Sequence, residues 1–263
     1  MTDLQYNGRS KTTAVGAQLR EKLESKTAHI GVIGLGYVGL PLAVSFAEKG
    51  FQTTGFDLSE DRVAQLNRGE NYIDDVDDGS LAQVVEEERF EAHRDFLSAG
   101  DVDVFYICVP TPVTGNKDPD TSYIESAARA IADHLREGQL VILKSTTHPN
   151  TTEELVQPIL EEASWSKNIE LGEDYFLAYS PERIDPGNKT YTTENTPVVV
   201  GGATDTCTEL ASLAMKQIVE QVHEVSNPAV AEMEKLLENI FRSVNIALVN
   251  EIGRASCRER VYC

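Results

Sequence analysis

Short apolar runs recur along this chain, each followed by a longer stretch of mixed polarity. HIGVIG (29–34), DVDVFYICVPTP (101–112), LVILKSTT (140–147), DYFLAYSPERIDPG (174–187) and TPVVVGG (196–202) each hold a compact block of Ile, Val, Leu or aromatic residues, and FQTTGFDL (51–58) reads as a second strand after the first. Blocks apolar at successive positions read as strands buried on both faces. Between them, GLGYVGLPLAVSFAEKG, LSEDRVAQLNRGE, SLAQVVEEERFEA, residues 121–137, TTEELVQPILEEAS and TDTCTELASLAMKQIVEQ read as helices. Ser59 and Thr151 or Thr152 act as start signals, and Gly50 and Gly138 as stops. QVHEVS is short and extended, NYIDDVDDGS an acidic loop, and AVAEMEKLLENIFRSVNIALVNE one long helix. Strands alternating with helices predict an α/β fold, a doubly wound Rossmann domain with a parallel sheet.

The same pattern divides the chain. Residues 1–28 are polar, with a short helix around Ala14–Ser25 whose Leu19 and Leu23 share a face. The Rossmann domain is expected over 29–226, the start of a central helical domain over 227–251, and a non-native tail over 252–263. In that tail, IGRASCRERV breaks the preceding pattern, adds three Arg to an acidic chain and resembles translated sequencing-adapter DNA. The reading frame is therefore expected to continue past Glu251.

Gly34-x-Gly36-x-x-Gly39 follows an apolar strand and opens a helix, the context that gives this motif meaning. Gly34 permits the tight turn, Gly36 lets a pyrophosphate approach the backbone, and Gly39 lets helix and strand pack closely. Tyr37 and Val38 lie within the turn. The diphosphate then sits on a helix N-terminus, where N–H groups and the dipole favour negative charge. Asp57 ends the next strand 18 positions beyond Gly39, the distance expected of a carboxylate that binds a ribose diol. It repels a 2′-phosphate, so NAD is expected over NADP. A strand-end Asp that only caps the next helix is the alternative. Arg62, in that helix, joins the candidate cofactor set.

Charge sharpens the picture. Lys and Arg total 23 against 43 Asp and Glu, a net −20 over 263 residues. So acidic a surface repels phosphate backbones, so no nucleic-acid partner is expected. A dinucleotide must then be held by backbone N–H groups and a few placed cations. No apolar run reaches the ~18–20 residues of a membrane span, and the N-terminus has no signal-peptide core, so no membrane partner and a cytoplasmic location are expected. Cys108, Cys207, Cys257 and Cys263 form no C-x-x-C pair, and Val76 interrupts the DDVDDG run out of calcium-loop order. No metal is expected. His148 reads as a loop contact, and the other four His as structural or exposed.

GLGYVGLPLA, ICVPTP, KSTT, YSPERIDPGN and EKLLENIFRSVNIALVNE, in this order over residues 26–251, resemble the N-terminal half of the UDP-glucose/GDP-mannose dehydrogenase family. The resemblance implies NAD-dependent, four-electron oxidation of C6 of a nucleotide sugar to a uronic acid, for polysaccharide or glycan precursors. It implies an aldehyde captured by a cysteine thiolate and a thioester cleaved by water. It places Val109, Pro110, Thr111, Ser145 and Thr146 around NAD, with Thr146 also near the reacting carbon. It gives Glu182 a part in thioester hydrolysis, and Lys235 and Asn239 the stabilisation of an oxyanion. Lys235 and Asn239 share a helical face by their i, i+4 spacing. An ordinary polar helix face and a solvated loop Glu are the alternatives, although the flanking Leu236, Leu237, Ile240 and Phe241 imply a largely buried helix.

Two departures matter. Pro186 stands where the UDP-glucose branch has a second glutamate, with Asp185 adjacent, and PERIDPGN is more similar to the branch that oxidises UDP-N-acetylated hexosamines. No G-G-H-C-I-P-like cysteine motif occurs, so this chain is expected to be an inactive fragment of a parent that dimerises through its central helices. A β-hydroxyacid dehydrogenase of the 6-phosphogluconate type, which also spaces Lys and Asn by four, and a non-catalytic NAD-binding module stay open.

Overall fold

The computed structural model describes residues 13–73, 76–113, 115, 119–182 and 194–258. Its strands are β1 (His29–Ile33), β2 (Gln52–Phe56), β3 (Phe90–His93), β4 (Val104–Ile107), β5 (Leu140–Leu143), β6 (Phe176–Tyr179), β7 (Val198–Gly202) and β8 (Val222–Glu224). They form one sheet in the order β3-β2-β1-β4-β5-β6-β7-β8. The first six are parallel, in the Rossmann order, with the reversal between β1 and β4.

Helices α1 (Ala14–Glu24), α2 (Gly39–Glu48), α3 (Glu60–Leu66), α4 (Asp78–Glu86), α5 (Ser122–His134), α6 (Gln157–Lys167), α7 (Asp205–Met215) and α8 (Pro228–Arg258) complete the described fold. Strand alternation sorts the core into two layers. Ile30, Val32, Val104, Tyr106, Leu140, Ile142 and Phe176 pack with Leu19, Leu23, Phe46, Leu81 and Leu210 on one face. Ile33, Phe105, Ile107, Val141, Leu143 and Leu177 pack with Ile124, Ile131 and Leu160 on the other. In β4, β5 and β6 both faces are buried and every residue is apolar.

Local signals explain the boundaries. Ser59 and Thr204 accept N–H bonds from Arg62 and Cys207 at the starts of α3 and α7. Gly50 and Gly138 follow α2 and α5 with φ of +98° and +81°. Pro158 sits one residue into α6, where it has no N–H to give Glu154. A π-helical turn at Thr152–Val156 precedes it and absorbs the mismatch.

Three expectations need correction. The helix foreseen through residue 92 stops at Glu86; Glu88 turns at φ +56°, and FEAH forms β3. Phe90 and Ala92 are buried and Glu91 exposed, a period of two that the acidic run before it masks. The sheet is not wholly parallel, because β7 runs antiparallel to β6. β8 pairs parallel with β7 through the α7 crossover. Finally, the long helix foreseen as far as Glu251 does not stop there, and α8 continues through Arg258.

Candidate functional site

The C-terminal ends of β1, β2, β4, β5 and β6 all open onto one edge of the sheet, and every candidate residue except those on α8 lies in the loops leaving it or in the first turn of the helix that follows. In a doubly wound sheet this edge, at the reversal of strand order, is where a ligand fits.

The glycine turn is built by contact. Gly34 takes φ +89°, and a Cβ there would come within 2.8 Å of the Cys108 carbonyl oxygen. A Cβ on Gly39 would lie 1.8 Å from the Gly34 carbonyl oxygen. At Gly36 no atom lies within 4 Å of the same position, so the backbone is open to a phosphate there. Val38, at the N-cap of α2, gives no side-chain bond, leaving the first N–H groups of the helix without a side-chain acceptor. Tyr37 is 66% exposed beside them.

Asp57 does more than cap a helix. One carboxylate oxygen accepts from Leu35 N inside the glycine turn at 3.0 Å, and the other from Ser59 N at 2.9 Å. Arg62 Nη1 stands 3.5 Å from the same carboxylate, and its guanidinium lies 5.5 Å from the centre of the Tyr72 ring. The Tyr72 hydroxyl donates to the Leu35 carbonyl, so Leu35 is held at both backbone groups. Burial, with Asp57 nearby, pushes that phenol up to about 12, which keeps it a donor.

Beside Asp57 lies a cavity of about 280 Å³ lined by Ile33, Gly34, Phe56, Asp57, Leu58, Arg62, Arg94, Phe96, Val109, Pro110, Tyr123, Ser126 and Ala127. Phe56 and Phe96 stack there, their ring centres 4.7 Å apart and their planes nearly parallel. A largely apolar slot with two arginines in its lining suits a purine nucleoside next to the open backbone at Gly36. These residues fit a dinucleotide. Leu58, Arg94, Phe96 and Tyr123 escaped sequence reasoning, since they follow no motif and meet only in the fold.

Farther along the edge the candidates interlock. Thr111 Oγ1 donates to the Thr146 carbonyl at 2.7 Å, and Ser145 Oγ to the Val109 carbonyl at 2.7 Å. Glu182, its side chain 12% exposed, faces Lys144 Nζ at 3.5 Å. Lys144 is a buried cation that sequence reasoning passed over. Lys235 is half-buried on α8 and interacts electrostatically with Glu182. Burial pulls its ammonium below the ordinary lysine value, against Glu238 and Glu182. Asn239, one turn on, is half-buried too. None of Thr146, Glu182, Lys235 and Asn239 lines the cavity beside Asp57. Asp185 and Pro186 lie outside the described residues.

The expectation that α8 is largely buried is corrected. Leu237, Ile240 and Phe241 are 57–71% exposed, because α8 leaves the body of the domain after its first turns. Neither Cys108 nor Cys207 suits a nucleophile: burial pushes the Cys108 thiol up to about 12, and raises Cys207 as well. Among the described residues no cluster fit to hold a metal ion occurs, and no helix is long and apolar enough to cross a membrane.

Known proteins share this fold. The sequence profile of the NAD binding domain of the UDP-glucose/GDP-mannose dehydrogenase family matches residues 28–224. UDP-N-acetyl-D-glucosamine 6-dehydrogenase of Pseudomonas aeruginosa is 37% identical over 229 residues, covering 87% of this chain and 53% of that protein. UDP-N-acetyl-D-mannosamine dehydrogenase of Escherichia coli K12 is 40% identical, covering 86% and 54%. The solved structure of a UDP-D-ManNAc dehydrogenase from Pyrococcus horikoshii superposes with a TM-score of 0.81 at 33% identity, covering 89% and 55%. The chain spans about half the length of the curated relatives it matches. With the glycine turn, Asp57 and the edge cluster in place, it belongs to the UDP-glucose/GDP-mannose dehydrogenase family.

Proposed function

We propose that this chain is the dinucleotide-binding half of a cytoplasmic NAD-dependent nucleotide-sugar 6-dehydrogenase acting on a UDP-N-acetylhexosamine. The observation that carries the reading is the joining, on one sheet edge, of the Gly34–Gly39 turn and Asp57 with the Lys144–Glu182 pair. Gly36 and the α2 N-terminus take the pyrophosphate, and Asp57 the adenosine ribose. Arg62, Val109 and Pro110 wall the adenosine, while Thr111, Ser145 and Thr146 approach the nicotinamide. Bound NAD supplies the hydride acceptor. Lys235 and Asn239 donate to the oxygen on the reacting carbon, where aimed donors count most as charge develops. Glu182 accepts a proton from the water that attacks the acyl intermediate. The sugar is assigned from the P-E-R-I-D-P-G wording and the two curated relatives above. The uncovered apolar residues of α8 support a homodimer of the longer protein.

The cofactor half is tested in the 263-residue chain. NAD is expected to bind well ahead of NADP, and Asp57→Ala to weaken NAD by about 1.5–3 kcal/mol, the worth of a hydrogen bond to a charged group. Titration calorimetry with both dinucleotides measures this, and equal wild-type affinities refute the selectivity. The substrate is tested by NADH formation from UDP-N-acetylhexosamines and UDP-glucose in the longer protein.

A further inference from the structure

The connection from β5 to the π-turn carries Ser145 and Thr146, and it is tied down on both sides. The near ties are the bonds from Ser145 to Val109 and from Thr111 to Thr146, both reaching the β4 end. The far tie comes from α8. Glu232, 0% exposed, accepts from Asn150 N at 2.6 Å on one oxygen. On the other it accepts from Thr152 N at 2.9 Å and Thr152 Oγ1 at 2.6 Å. Inside the loop, the Thr147 and Thr151 hydroxyls pair at 2.7 Å.

Asn150 takes φ +70°, a left-handed conformation that is uncommon outside glycine. It stands just before a helical start whose N–H groups have no intrahelical acceptor. Glu232 supplies that acceptor and fixes the turn. A buried carboxylate is expensive, and an apolar residue often serves stability as well or better. Burial pushes the Glu232 carboxyl above its ordinary value even though Thr152 and Asn150 bond to it. What the carboxylate gains is geometry, since Lys235 is one turn farther along the same helix.

We propose that Glu232 is a positioning residue that locks the Thr146 loop to α8, holding the nicotinamide end of the cleft at a fixed separation from Lys235 and Asn239. The proposal rests on the dinucleotide reading above, and its test separates the two. In Glu232→Gln the remaining oxygen still accepts from Thr152, but the amide turns a donor toward Asn150 N–H. Amide hydrogen exchange and the affinities of NAD and ADP-ribose, which lacks the nicotinamide, are measured on the 263-residue chain. Exchange at Asn150 is expected to rise at least about tenfold while the thermal midpoint falls only slightly, the mark of one lost local bond. NAD is expected to weaken about five- to tenfold and ADP-ribose less than about twofold, since only the nicotinamide end is disturbed. Unchanged exchange at Asn150 overturns the proposal, as does equal weakening of both ligands, which a purely structural residue would give. Should the Gln variant not fold, Glu232→Asp, which keeps the charge but falls short, is read by the same criteria. A wild-type chain that binds neither ligand overturns the dinucleotide reading, and the exchange at Asn150 then decides on the lock alone.

Discussion

Alanine at Gly39 is expected to abolish NAD binding and to destabilise the fold by about 3 kcal/mol, the upper end for overpacking. The added Cβ would stand 1.8 Å from the Gly34 carbonyl oxygen and 3.1 Å from Cys108 Cβ. The first neighbour is backbone of the turn itself, so relief requires α2 to lift from β1 or the turn to open. Gly36→Ala separates the two effects. Its Cβ meets nothing within 4 Å, so the thermal midpoint should hold while NAD affinity collapses, the methyl standing where the pyrophosphate approaches. Thermal melts and calorimetry on both variants check this. A Gly39→Ala protein with wild-type affinity would show that the turn is not packed as described.

Lys235→Ala in the longer enzyme is expected to lower kcat on the order of 10²–10³, as for one lost oxyanion donor, with little change in the KM for NAD. Lys235 lies outside the cavity beside Asp57, on α8, so its loss should act on the reacting carbon rather than on cofactor affinity. An interaction made mainly in the transition state has that signature. Steady-state kinetics with NAD varied at saturating UDP-sugar give both constants. A raised KM for NAD at constant kcat would move Lys235 to the cofactor site.

The parts of this site that were legible in the sequence are local. A strand, a glycine turn, a helix and a strand-end carboxylate are consecutive, so Gly34, Gly36, Gly39 and Asp57 declare themselves by spacing. β3 was obscured because the EEER run extends helical character into FEAH, whose pairing with β2 is a tertiary fact. The reversal at β7 was obscured because an apolar strand reads the same in either direction. Tyr72 is a plain loop residue until its hydroxyl meets Leu35, 37 positions away. Lys144 and Glu232 look like ordinary charges, and only the fold buries them against partners 38 and about 80 positions distant. The apolar flanks of Lys235 misled in the opposite sense, since hydrophobicity signals a need for cover and α8 finds little within these residues.

That uncovered helix bears on how such a protein is made. Leu237, Ile240, Phe241, Val244 and Val249 lie in water along most of the length of α8. In relatives about twice this long, the N-terminal half leaves the ribosome first. At about 5–20 residues per second, a further stretch of about 200 residues takes on the order of 10–40 s to emerge. A chain with the α8 seen here would carry an apolar rod with nothing to close it through that interval. The net charge of −20 keeps nascent neighbours apart by mutual repulsion. Added salt, by screening it, should speed their clumping before it disturbs the fold.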